Sequence, residues 1–248
     1  MAQFNFAEKS EIEELHIEPT DVMTGDRNKS RYLLYQLTLS MARAKQIDII
    51  VSFLMESGVR MLLSDLKAAL QRGVRIRILT GNYLGITQPS ALYLLKKELG
   101  DKVELRFYSD KGRSFHPKSY IFHYDSMSEI YIGSSNISRS ALTSGIEWNY
   151  RFNNNQDRQN FNLFYATFED LFKNHSYVIN DAELKAYSKN WHKPAVAKDL
   201  ARYDQVDPDT KVEVLFQPRG AQIEALCALE NSRAEGAVRG LVHAATGV

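Results

Sequence analysis

The sequence predicts an α/β fold, a mixed and mostly parallel sheet flanked by helices. Three observations carry this. Strand-like and helix-like apolar patterns alternate as β-α-β-α-β over residues 47–107. Two short strand patterns follow at hairpin spacing. The composition, 44% hydrophobic and 25% charged over 248 residues, is that of a globular chain. Alternating strands and helices assemble as parallel strands joined by right-handed crossovers.

Each element has its own signal. Residues 29–44 place Leu33, Leu34, Leu37 and Met41 at helical spacing. Residues 47–53 are a short apolar run rich in β-branched side chains, the mark of a buried strand. Residues 58–71 repeat Leu62, Leu63, Leu66 and Leu70, and Gly73 follows as a helix stop. Residues 74–79 alternate with period two. Pro89 opens a helix through Leu92, Leu94, Leu95 and Leu99, closed by Gly100. Residues 103–107 alternate again. Residues 119–122 and 129–132 then form two strands with a short polar connection, which suits an antiparallel hairpin. A helix start at 138–141, a strand over 147–152 and an aromatic-rich helix over 161–172 complete the pattern. Residues 174–210 have weak periodicity and read as helix plus linker.

Composition removes several function classes. No run of about 18 apolar residues exists, so no transmembrane helix is expected. The acidic N-terminus lacks the apolar core of a secretory signal. With Cys227 as its single cysteine, the chain has neither a disulfide framework nor a cysteine-based zinc site, and a cytoplasmic, reducing location is expected. Thirty-one Lys and Arg against 30 Asp and Glu give a net charge of +1. Any basic surface for a polyanion must therefore be local.

The chemistry gathers around His116-Pro117-Lys118 and Gly133-Ser134-Ser135-Asn136. In an extended segment residues 116 and 118 share a face, and Pro117 disfavours helix at the residue before it. If the two strands are neighbours, an imidazole, an ammonium, a hydroxyl and a carboxamide converge. Imidazole is a nucleophile or proton carrier near neutral pH. Lys118, Ser134, Ser135 and Asn136 offer donors suited to phosphoryl oxygens. Trp148 and Phe152 read as core packing, not as platforms for bases, and Cys227 as a small buried hydrophobe.

The pair His116-x-Lys118 and Gly133-Ser-x-Asn136 resembles the HKD motif of the phospholipase D superfamily, and the β-α-β-α-β pattern resembles its half-domain. The resemblance spans roughly residues 30–175. Glu147, eleven residues after Asn136, stands where the nuclease branch of that family has a supporting acidic residue. The family's Asp, five residues after the lysine, is replaced here by His123, and Asp125 lies two further on. By strand parity both fall on the face opposite to 116 and 118.

The resemblance implies His116, Lys118, Asn136 and Glu147 as catalytic residues and two-step phosphoryl transfer. One histidine attacks phosphorus and a second HKD histidine protonates the leaving oxygen. Water then resolves the phosphohistidine. No metal or other cofactor is implied for this site, because lysine and amide groups neutralise the developing charge. His16, His123, His175, His192 and His243 lack the x-Lys partner, so a twofold homodimer is expected to bring two copies of His116 together.

The tail carries a second resemblance. Residues 240–248 run an apolar strand into Ala-Ala-Thr-Gly-Val, similar to the lead-in of a Walker A loop that would follow. Gln222 stands where a superfamily 2 DEAD/DEAH-box helicase has its adenine-reading glutamine. Residues 1–180 are thus expected to form the phospholipase D-like domain, 181–212 a helical linker and 213–248 the start of a helicase domain. ATP and Mg²⁺ are expected only for a complete helicase. Nucleic acid, in the first place DNA, is the implied partner, and no membrane. Two alternatives remain: a module that binds phosphate without cutting, and a lipid phosphodiesterase.

Overall fold

The computed structural model describes residues 19–26, 28–110 and 112–192, with isolated positions between 225 and 239. Gln222, Cys227 and the Walker-like residues 240–248 lie outside the described residues. The described chain folds around one eight-stranded sheet of order β1-β7-β6-β5-β2-β3-β4-β8. Its strands are β1 (Val22–Met23), β2 (Gln46–Val51), β3 (Arg75–Thr80), β4 (Val103–Tyr108), β5 (Lys118–His123), β6 (Ser128–Gly133), β7 (Asn149–Asn153) and β8 (Ser176–Val178). The helices are α1 (Leu33–Arg43), α2 (Glu56–Gln71), α3 (Pro89–Leu99), α4 (Arg139–Thr143), α5 (Arg158–Asn174) and α6 (Asp181–Asn190).

The sheet is mixed and flanked by helices, as expected, but its parallel share is smaller. Only β2–β3 and β3–β4 pair in parallel. The other pairings are antiparallel. The reason lies in the connections. The long βα links before residue 108 allow crossovers. The short link between β5 and β6 permits only a hairpin.

Strand parity sorts the side chains into two cores. Ile47, Ile49, Ile76, Ile78, Leu105, Tyr120, Phe122 and Tyr131 face the layer of α1, α2 and α3. Ile50, Leu79, Ile121 and Ile130 face Phe161, Phe168 and Phe172 of α5. Helix α2 ends as its sequence indicates. Gly73 adopts φ +80, and its N–H donates to Leu70 O at 3.0 Å. Gly58 in the same helix has a different role. A Cβ there would meet the Ile137 carbonyl carbon at 2.4 Å, so glycine lets α2 lie against the backbone that follows Asn136.

Among the described residues of the stretch 174–210, two parts are regular. β8 adds an antiparallel edge to β4. α6 opens with a reciprocal cap between Asn180 and Glu183 and buries Leu184 in the larger core.

Candidate active site

The site forms at one end of the sheet, where β2 finishes, β5 begins, β6 finishes and β7 begins. Lys118 is the first residue of β5 and pairs in register with Val51, the last of β2. It shares parity with Tyr120 and Phe122 and is buried, at 8% exposure. Its Nζ donates to Ser52 Oγ at 3.0 Å and to the His116 carbonyl at 3.1 Å. The same ammonium lies 2.8 Å from Nε2 and 2.9 Å from Nδ1 of His116. The imidazole itself is exposed. Its other neighbour is Tyr83, with ring centroids 4.4 Å apart and planes tilted by 52°.

Asn136 approaches through Ser52. Its Oδ1 accepts the backbone N–H of Ser52 at 3.0 Å and of Phe53 at 3.3 Å. This fixes the carboxamide and leaves the Nδ2 donors as its remaining polar group. Ser52 Oγ donates in turn to Pro117 O at 3.1 Å. A parallel bridge between Leu54 and Ile137 extends the contact between the two segments. His116, Lys118 and Asn136 are therefore brought together, with Ser52 as the link between them.

Glu147 stands further along the same end. Its carboxylate accepts a hydrogen bond from Ser134 Oγ, which also accepts Trp148 N–H at 3.1 Å. Gly133 makes this approach possible, since a Cβ there would meet Trp148 O at 2.2 Å. Ser135 corrects the sequence expectation. It is fully buried, receives Asn149 Nδ2 at 2.9 Å and donates to Ala141 O at 3.2 Å, so its hydroxyl is turned into the fold. Neighbouring residues of an extended segment point to opposite sides, and 134 takes the outer one.

The electrostatics follow from these placements. Partial desolvation lowers the basicity of His116, and the charge of Lys118 lowers it further, which favours the neutral ring. Burial brings Lys118 down to about 8, against the opposing pull of the Glu147 charge. The site thus offers a neutral imidazole beside an ammonium, which suits attack on an anionic phosphorus centre.

The sequence reading placed His123 and Asp125 away from this face, and so they are. His123 Nε2 lies 3.0 Å from Asp48 on the α5 side of the sheet. Asp125 is a surface residue beside Lys45, 3.7 Å away. Trp148 overturns the packing expectation, being 73% exposed, whereas Phe152 is buried at 8%. Ser52, Tyr83 and Asn149 are the residues the sequence reading missed. One signal was available for Ser52: it caps a buried strand at the sheet end where α/β folds gather ligands.

Residues 36–174 match the model of the family described as cardiolipin synthase, PLD-like domain. The fold is similar to that of Nuc from Salmonella typhimurium, a phospholipase D family member. The TM-score is 0.51 at 21% identity, covering 66% of this chain and 100% of that one. It is also similar to phosphatidylserine synthase from Haemophilus influenzae, with a TM-score of 0.52 at 15% identity, over 73% of this chain and 44% of that one. A comparison with curated proteins finds no match. The family match takes in every residue of the site described above, and by it the chain belongs to the phospholipase D-like domain family.

Proposed function

We propose that the domain is a phosphodiesterase that cleaves nucleic acid, DNA in the first place, without a metal ion. The observation that carries this reading is the Lys118 ammonium, held by Ser52 within 2.9 Å of both ring nitrogens of the exposed His116. An entering phosphodiester finds a cation for its oxygens and a nucleophile for its phosphorus at one point. A His116 ring nitrogen attacks phosphorus while the bond to the leaving oxygen breaks. Lys118 and the Asn136 Nδ2 donors take up the charge on the non-bridging oxygens. A second His116, from another copy of the chain and in its protonated form, gives its proton to the leaving oxygen and becomes neutral. That histidine then takes a proton from water, which attacks phosphorus and breaks the P–N bond, regenerating the enzyme. Glu147 acts from beside Ser134 and steadies the charge of Lys118.

The second copy has a surface to use. Ile146 at 84% and Trp148 at 73% exposure flank Glu147 in sequence, and Tyr150 at 53% and Val22 at 51% pair across β7 and the edge strand β1. Large apolar side chains exposed together mark an interaction surface, and this one adjoins a site that needs a partner histidine. The helicase resemblance of residues 213–248, with Gln222 as its adenine reader, supports nucleic acid as the substrate. In a complete helicase that segment would bind ATP and Mg²⁺.

One observation favours a second reading. The family description and the phosphatidylserine synthase likeness name phosphatidyl chemistry, for which the same histidine would serve. The deciding experiment offers labelled DNA and phosphatidyl lipid vesicles in excess EDTA to the wild type and to His116→Ala. DNA cleavage by the wild type alone is the expected result. Lipid turnover without DNA cleavage supports the second reading. DNA binding with no turnover of either substrate makes the domain a binding module.

A further inference from the structure

The loop between β3 and α3, residues 81–88, crosses the sheet end beside His116, and it is held in a strained shape. Leu84 at its tip has φ +52 and is 60% exposed. A side chain in that backbone region is sterically strained, and the next residue, Gly85, has φ +72. Interactions from two sides sustain the shape. From below, Ile86 packs on Phe53 and Met55, and Gln88 N–H donates to Leu54 O at 2.9 Å. From the chain's later part, α6 supplies a clasp. The Tyr187 hydroxyl lies 2.7 Å from both Asn82 Oδ1 and Thr87 O, and Trp191 Nε1 donates to Gly85 O at 2.7 Å. Tyr187 is itself fixed against Phe107 of β4, with ring centroids 5.2 Å apart.

The product of all this is the position of one side chain. Tyr83, between Asn82 and Gly85 of the gripped loop, sets its ring against the imidazole of His116. His116 stands in an irregular segment before β5, so no strand ladder restrains it. Lys118 Nζ contacts both ring nitrogens, and the Tyr83 ring packs against the imidazole and limits its rotation.

We propose that Tyr83 is a positioning residue for His116, and that α6 sets its placement through the Tyr187 and Trp191 clasp. Residues 181–191 thereby govern the orientation of the site's histidine without touching it. The catalytic consequence rests on the reading of His116 as nucleophile; the structural coupling does not. An attacking ring nitrogen must point at phosphorus, and small misplacements lower the rate steeply, by up to about a hundredfold per ångström. Tyr83→Phe keeps the ring and loses only the hydroxyl. Tyr83→Ala frees the imidazole. Trp191→Phe keeps the packing and removes the N–H that holds Gly85.

The test uses the full chain and two readouts. The first is kcat and KM on bis(p-nitrophenyl) phosphate, a small diester that engages only the reacting centre. The second is the NMR titration of the His116 ring, which needs no activity. The titratable groups facing that ring are Lys118 and Tyr83. Tyr83→Ala should lower kcat about tenfold or more with KM within about twofold, and Tyr83→Phe should stay near wild type. Trp191→Phe should lower kcat less, and should add nothing to Tyr83→Ala, because both act through one contact. The His116 titration should move toward the ordinary imidazole value in Tyr83→Ala and, by less, in Trp191→Phe. Equal loss in Tyr83→Phe and Tyr83→Ala, additive losses, or a His116 titration unmoved by either variant would overturn the proposal. A wild type without turnover fails the nucleophile reading alone, and the titration still decides the coupling. Thermal melts identify a variant that has failed to fold, and Tyr83→Phe and Trp191→Phe then carry the test.

Discussion

At the scale of single residues, the site is a contest over two protons. His116 attacks only when neutral. Burial and the neighbouring ammonium hold its pKa below the usual imidazole range, so the attacking form is complete by the time pH reaches that range. Lys118 works only when charged, and burial brings it down to about 8. Activity should therefore rise with pH as the attacking His116 loses its proton, and fall again as the proton-donating His116 of the second copy loses its own and, in kcat/KM, as Lys118 passes about 8. A bound phosphate anion favours the ammonium, so the alkaline limb of kcat should lie higher than that of kcat/KM. A pH–rate profile that stays flat through pH 9 would contradict this. Ser52 is the hinge of the arrangement, because its hydroxyl holds Lys118 and its N–H holds Asn136. Ser52→Ala should lower kcat/KM by roughly tenfold, the value of about one hydrogen bond to a charged group; activity within twofold of wild type would remove Ser52 from the site. The sequence could show His116, Lys118 and Asn136 because they lie in two short motifs. Tyr83 was not legible, since it meets His116 across more than thirty residues and carries no local pattern, and Ser52 showed only as the residue that caps a buried strand.

At the scale of elements, the position of the family's aspartate becomes intelligible. His123 closes β5 on the α5 side, where Asp48 of β2 receives Arg77 of β3 at 2.6 and 2.8 Å. Arg77 reaches Glu169 of α5 at 2.6 Å and lies over the rings of Phe168 and Phe172. Burial alone would raise the Asp48 pKa, but hydrogen bonds from Arg77 and His123 outweigh it and hold the carboxyl below its usual range. This contribution to stability is present above the ordinary carboxylate pKa and is lost as pH falls through the lowered one. The network fastens β2, β3, β5 and α5, away from His116 and Lys118. Arg77→Leu should cost about 3–5 kcal/mol in urea unfolding, because it leaves the Asp48 carboxylate unpaired. Asp48→Asn with Arg77→Leu should cost less than the sum of the single changes. Additive costs would show that the pair is not coupled. The central strands and helices were legible because burial imposes periods of 2 and 3.6 on them. β1 has two residues and β8 three, too few for a period to appear, so neither was predicted. The hairpin at 118–133 was read correctly, yet the sheet was called mostly parallel because the first half of the chain dominated that expectation.

At the scale of the whole molecule, the question is what completes a site with one His-x-Lys pair. The apolar group near β7 and the edge strand β1, with Trp148 exposed at 73%, is the place we propose for a second copy. Trp148 looked like core from the sequence because alternation reveals which residues share a face but not whether that face is covered. A charge at this point should keep two copies apart. Trp148→Asp should sediment as a monomer and lose DNA cleavage while keeping its circular dichroism. A fully active monomer would show that one chain suffices. The most direct test of the central claim is to trap the covalent intermediate. The full chain is mixed with DNA in excess EDTA, quenched in alkali within the first turnover, digested and weighed by mass spectrometry. The account predicts a nucleotide joined through phosphorus to the peptide carrying His116 and absent from His116→Ala. Cleavage with no adduct on that peptide, or with the adduct on another residue, would contradict it.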